Sequence, residues 1–417
     1  MPASTMQLDL DAVNGLTGVR AGAWERWRKT GWPDHQAEQW RFTRLSSVKK
    51  MNLRPAQNAS VAPGAMAISA KLPDNAVVLW FNNGVLDIAS LSDLPQGVSA
   101  SQLDGNETDL AKLAELVPQL HPISDLSLAA MSSGVHLEFT GAVKAPIILA
   151  FNGDDKSLSA HPVVSVRLQD GASAVLAEWH QAAVGLSAPL MSIDVGAEAC
   201  LNYAKVQQDS TSSAHLAATG IRLGEGAVFD GFQISVGGGL ARLETHVCLS
   251  GENADCTLSA IYLGQGNQHH DITTNMNHAT GHCLSKQIIR GVLDDKARGV
   301  FQGKVHVAPD AQKTDGQQMS RALLLSRKAE ADAKPELEIY ADDVLCAHGA
   351  TVGELDETQL FYLTSRGIKR QEARAMLISA FLDDAIDNIG HAGLADMLRP
   401  VTTAWMMSTS EVDPEDQ

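Results

Sequence analysis

"QDGASAVL", from Gln169 to Leu176, pairs a tight-turn signal, Asp170-Gly171, with an extended run of small and β-branched residues. The same order returns in "DVGAEACL" (Asp194 to Leu201), "LGEGAVFD" (Leu223 to Asp230), "SGENADCTL" (Ser250 to Leu258) and "NHATGHCL" (Asn277 to Leu284). The spacing is roughly 25 to 30 residues, the period of stacked coils. Around these turns lie "VHLEF", "APIILAF", "VVSVRL", "AVLAEW" and "VFDGFQISV", which lack helical periodicity. Without amphipathic helices between strands the segment is not a series of βαβ units; it suits a solenoid in which each coil buries its inward side chains on the next. A β-sandwich competes, but it needs hairpin signals, and only Asn82-Asn83-Gly84 and Asp170-Gly171 are good ones. The expected fold is mainly β: a right-handed parallel β-helix core flanked by N-terminal and C-terminal α-helical regions.

Toward the N-terminus, "AGAWERWRKTGWPDHQAEQWRFTRL" carries Trp24, Trp27, Trp32 and Trp40 on helix-forming sequence interrupted by Gly31 and Pro33. It predicts two short helices packing by their aromatic faces. "NLRPAQNASVAPGAMAIS" (Asn52 to Ser69) has the composition of a linker. Beyond the solenoid, "ELDETQLFYLTSR" stops at Gly367, and "KRQEARAMLISAFLDDAIDNIG" places Ala373, Met376, Leu377, Ala380 and Phe381 on one face. Two helices are expected to close the chain and to cap the end of the solenoid. The divisions expected are 1–50 (helical), 51–133 (linker and mixed), 134–352 (β-helix) and 353–417 (helical).

The 417 residues include 44% hydrophobic and 19% charged side chains, a composition that excludes wholesale disorder. A net charge of -17 argues against nucleic acid as the main partner. No apolar run reaches the length of a membrane span, and "MPASTMQLDLDAVNG" lacks a signal-peptide pattern, so a soluble cytoplasmic protein is expected. The five cysteines (Cys200, Cys248, Cys256, Cys283, Cys346) form no CxxC pair, which disfavours a disulfide framework or a zinc ribbon.

The chemistry of interest lies in "DDVLCAHGATVGELDE" (Asp342 to Glu357). On a strand, Cys346 and His348 point to the same side. They read as metal ligands, as a nucleophile with its base, or as small residues filling a turn. Thiolate and imidazole are soft and borderline metal ligands, but the pair supplies two donors, fewer than the four that a tetrahedral metal site usually takes. A nucleophilic pair lacks its orienting third group, with only Asp342 and Asp343 near in sequence. "HHDITTNMNHATGHC" gathers His269, His270, Asp271, His278, His282 and Cys283, but at no standard zinc spacing; on a solenoid these residues divide between faces as polar ladders. "SVGGGLARL" and "GEGAVFDG" lack the Gly-Lys-Ser/Thr ending of a phosphate loop. Lys304, Lys313, Arg321, Arg327 and Lys328 make a locally basic patch, read either as steering for an acidic partner or as a solvated face.

"QKTDGQ" (Gln312 to Gln317), "KPELEIYADDV" (Lys334 to Val344), "HGATVG" (His348 to Gly353) and "LFYLTSRGI" (Leu360 to Ile368) together closely resemble the SufB/SufD family of iron-sulfur cluster assembly proteins. The Cys-x-His before Gly-Ala-Thr is similar to the SufD type, and "EQWRFTRL" to an N-terminal element of that type. The resemblance implies a non-catalytic scaffold subunit that pairs with a SufB-like paralogue through the β-helical core. It implies SufC-like ATPases docked on the C-terminal helices, a transient iron-sulfur cluster shared with the SufB-like partner, and a reduced flavin associated with the complex. His348 takes the place of the SufD-side interface histidine, with Cys346 as the neighbouring thiol. Leu355, Leu360, Phe361, Tyr362 and Arg366 fall in the expected docking segment, and a homodimer is conceivable for the isolated chain. Two readings from other classes are a stand-alone metal-binding protein built on the histidine-rich segment and a β-helix enzyme acting on polysaccharide. The second needs a carboxylate pair along an outer groove, and no repeated Asp or Glu constellation singles one out.

Overall fold

The computed structural model describes residues 16–56, 68, 72–118 and 121–410, so most of the linker-like stretch Asn52 to Ser69 lies outside the described residues. From Ser133 the chain winds through about eight coils, each giving one strand to a sheet A and one to a sheet B. In sheet A these strands run from Ser133–Phe139 to Glu330–Ile339, and in sheet B from Ile147–Asn152 to Leu345–Gly353. Each coil strand pairs in parallel with the strand one coil away, as in Cys256↔Ser285 and Val305↔Leu337. The expected parallel β-solenoid is the observed architecture.

The recurring turns have one geometric cause. Two residues before a sheet B strand, the chain adopts a left-handed conformation at Gly171, Glu198, Gly226, Asn253, His282 and Lys313. Only two of the six are glycine, although each L side chain held there costs about 1–2 kcal/mol. The bend is kept because each corner feeds backbone hydrogen bonds into the next coil, as when His282 N–H donates to the Gln312 carbonyl at 2.8 Å.

Inward residues of both sheets, among them Leu201, Phe229, Cys256, Ile221, Val247 and Met276, form a continuous apolar core. Polar groups interrupt it in clusters. Lys205 Nζ lies 3.2 Å from Glu178, whose carboxylate also meets His180 at 2.9 Å and accepts from the Tyr203 hydroxyl.

The two outer faces are covered by the two ends of the chain. On sheet A lie Gly18–Thr30 and the helices Glu107–Leu116 and Pro122–Ala129. Trp24 stacks on Trp27 at 5.4 Å within the first helix, and Gly31 ends that helix with a positive φ. The second predicted helix is instead a single 3-10 turn, Glu38–Trp40. Its Trp40 ring lies 4.2 Å from the guanidinium of Arg242, which is itself fully buried between Glu244 and Asp271.

Three helices follow the solenoid rather than two: Arg370–Ile386 and Ala392–Ser410 cover sheet B, and Glu357–Ser365 packs on the first of these. The third was concealed by Pro400, an interior helix breaker that the surrounding packing tolerates. The buried stripe of Arg370–Ile386 also differs from the expected one: Ala373, Ile378, Leu382, Ala385 and Ile386 are enclosed, while Met376 is exposed. This stripe packs on Phe232, Ile261 and Ile288 across the side of sheet B. The helices therefore clothe a flank of the solenoid instead of capping its end.

Candidate functional site

The last coil consists of Glu330–Ile339 and Leu345–Gly353, and both are edge strands. Leu345 is 73% exposed and Tyr340 60% exposed, with Ile339 and Val352 exposed beside them. Such edges present unpaired backbone donors and acceptors, the usual template for adding a further strand.

Register fixes where Cys346 and His348 point. Gly316↔Cys346 and Gln318↔His348 are paired positions, and Gly316, Gln318, Ser320 and Ala322 are the buried residues of the Asp315–Leu324 strand. Cys346 and His348 therefore stand on the inward side of the final coil, at the mouth of the solenoid. Cys346 is half-buried against the core, and a Cβ built on Gly316 would lie 3.4 Å from its Sγ. Burial pushes the Cys346 thiol up, the Asp315 charge adds to this, and the Gly316 backbone N–H opposes it. At neutral pH it is a thiol, which counts against a free nucleophile. His348 is exposed at the same mouth.

The neighbouring carboxylates do not complete a triad. Asp343 pairs with Lys313, its backbone N–H donates to Gln312 Oε1 at 2.9 Å, and its carbonyl accepts from Lys313 N–H at 2.7 Å. These bonds fix the preceding corner. Among the described residues, no group of three or more His, Cys, Asp or Glu is placed to hold a metal ion.

The histidine-rich segment is divided by strand alternation. His270 points inward to Ser235 Oγ at 2.8 Å, His278 inward to Ser285 Oγ at 2.8 Å, and His269 outward to Thr43 at 2.9 Å. His282 occupies a left-handed corner and Cys283 is buried. Burial holds His270 at about 3 and His278 at about 4, so both are neutral core side chains.

In the basic patch, Lys304 is paired with Glu338 at 2.7 Å and Lys313 with Asp343, which reduces the local positive field. In the expected docking segment, Leu360 is 1% exposed and serves as an anchor, and Leu355 is half-buried against the sheet B flank. Phe361 and Tyr362 face solvent, with the Arg366 guanidinium 4.7 Å from the Tyr362 ring.

One residue of the mouth escaped the sequence reading. Gln318, directly behind His348, is 2% exposed, and among the described residues neither its Nε2 nor its Oε1 has a hydrogen-bond partner. The available signal was the alternation in "DGQQMSRA", which sets Gly316, Gln318, Ser320 and Ala322 on one side of the strand.

The SUF-system FeS cluster assembly model for the SufBD core domain matches residues 151–381. The iron-sulfur cluster assembly protein SufD of Escherichia coli is 31% identical over 376 residues, 88% of this chain and 87% of the relative. A SufBD family protein of Synechocystis is 30% identical over 413 residues, covering 92% of this chain and 90% of its own length. SufD of Bacillus subtilis is 36% identical over 151 residues, 36% of this chain and 34% of the relative. With a solenoid over the matched region and similarity along nearly the whole chain, this protein belongs to the SufB/SufD family of iron-sulfur cluster assembly proteins.

Proposed function

We infer that this chain is a SufD-type scaffold subunit, without turnover of its own, that pairs through the open end of its solenoid with a SufB-like paralogue. The observation that carries the reading is the placement of Cys346 and His348 on the inward side of the last coil, whose two strands are exposed edges that no element among the described residues covers. A second solenoid end laid against these edges would enclose the mouth and bring its own ligands to the same space.

The donor set fits a nascent iron-sulfur cluster as cargo: one imidazole and one thiol from this side, with the remaining ligands from the paralogue. Two donors hold a cluster weakly, which suits a site that must release what it assembles. The thiol loses its proton when a metal binds, because the cation reverses the effect of burial. Exposed Phe361 and Tyr362, on a helix anchored by Leu360, fit docking of a SufC-like ATPase, which would supply the nucleotide site.

The test is iron and acid-labile sulfide per complex, after anaerobic co-purification with SufB-like and SufC-like partners, for wild type and His348→Ala. Normal assembly with several-fold less iron and sulfide is expected. Full cluster content in an intact mutant complex would leave this end as a purely architectural contact.

A further inference from the structure

Earlier coils show what an interior glutamine ordinarily does. Gln233 Nε2 donates to Thr245 across the core at 2.9 Å, and Gln287 Oε1 accepts from Thr274 at 2.7 Å. Thr245, Thr274 and Gly303 are successive positions of one sheet A ladder, so the threonine series breaks at the coil that faces Gln318. The glycine makes room for the Gln318 amide, since a Cβ on Gly303 would lie 2.3 Å from its Nε2. It also leaves that amide without a partner on either atom among the described residues, although the side chain is enclosed.

A buried amide without partners is costly, and native proteins retain few of them. The next position along the ladder of Gln318 is His348. Neighbouring strands lie about 4.8 Å apart, within reach of a glutamine side chain.

We propose that Gln318 is the positioning residue of His348, its Oε1 accepting the inward imidazole N–H so that the other ring nitrogen presents its lone pair to the cluster across the subunit boundary. Metal-ligating histidines ordinarily donate their second nitrogen to such an acceptor, which fixes both tautomer and ring orientation. In the isolated chain His348 stands in solvent and the amide waits; a partner closing the mouth brings the imidazole onto it. The inference rests on the cluster-site reading above.

The experiment compares wild type, Gln318→Met, Gln318→Glu and His348→Ala in the complex with SufB-like and SufC-like partners. It follows the rate at which iron passes to a ferrous chelator, alongside the melting temperature of each chain. Methionine has a similar shape and no amide, so Gln318→Met should melt no lower than wild type yet release iron about 10- to 100-fold faster. Gln318→Glu restores an accepting oxygen and should bring release back toward the wild-type rate, even though its buried carboxyl lowers the melting temperature. Wild-type release from Gln318→Met, with His348→Ala losing cluster, overturns this inference alone. Faster release matched by a lowered melting temperature in Gln318→Met overturns it in favour of a structural role. Full retention by His348→Ala removes the cluster-site reading and this inference with it.

Discussion

His161, His180, His270 and His278 are sealed inside the solenoid, and burial lowers them to about 3, 4, 3 and 4. They stay neutral in the fold, while the unfolded chain protonates them below about pH 6.5. Their stabilising contribution is thus complete above pH 6.5 and is lost as pH falls toward about 3 to 4, each extra proton taken up by the unfolded chain steepening the loss by up to about 1.4 kcal/mol per pH unit. The urea midpoint should drop markedly between pH 7.5 and pH 5, and His278→Asn should flatten that drop; a midpoint unchanged over this range would contradict the buried histidines. Glu178 acts in a lower window. Burial alone would raise it, but Lys205, His180 and Tyr203 hold it at about 2, so its contribution fades only between about 4.5 and 2. Removing one side of the pair by Lys205→Met leaves an uncompensated buried carboxylate and should cost about 3–5 kcal/mol in chemical denaturation.

At the scale of elements, the left-handed corners and the flank helices carry separate expectations. His282 holds a positive φ that glycine adopts freely and a β-branched residue does not. In urea titrations, His282→Gly should be neutral to mildly stabilising, whereas His282→Val should cost about 1–2 kcal/mol. Leu382 lies on the enclosed stripe against sheet B, so Leu382→Ala should cost about 2–5 kcal/mol. Cluster content per folded complex should not change, since the stripe covers a flank and not the mouth. The shift of that stripe from the expected Met376–Phe381 face to Ile378–Ile386 has a simple cause. An apolar helix with alanines on several sides offers more than one plausible face, and only the sheet beneath selects among them.

For the whole molecule, the decisive feature is an elongated core whose sides are covered and whose last coil is left uncovered by the described residues. The exposed edge of Leu345–Gly353, with Leu345 itself in solvent, should drive pairing of the isolated chain with a second copy at high concentration. Sedimentation should show a shift toward monomer for Leu345→Lys, and the same change should weaken capture of a SufB-like partner. If Leu345→Lys leaves both associations intact, the pairing surface lies elsewhere. No helix among the described residues is long and apolar enough to cross a membrane.

The recurring turn signals, with the lack of helical periodicity between them, made a parallel solenoid legible, because a left-handed corner returns at one position in successive coils whether glycine, glutamate, asparagine, histidine or lysine occupies it. The sharing of one strand side by Cys346 and His348 was equally legible, since alternation along a strand is a local property. Tertiary structure decided the rest. Whether that side faced solvent or core depended on pairing with Asp315–Leu324, a register made between coils. Whether the C-terminal helices capped the end or covered a flank depended on which apolar surface was left unburied, and sheet B offered Phe232, Ile261 and Ile288. The unpartnered amide of Gln318 became visible only when Gly303 was set opposite it, because hydrogen-bond satisfaction belongs to pairs that the chain brings together and not to a residue in its sequence.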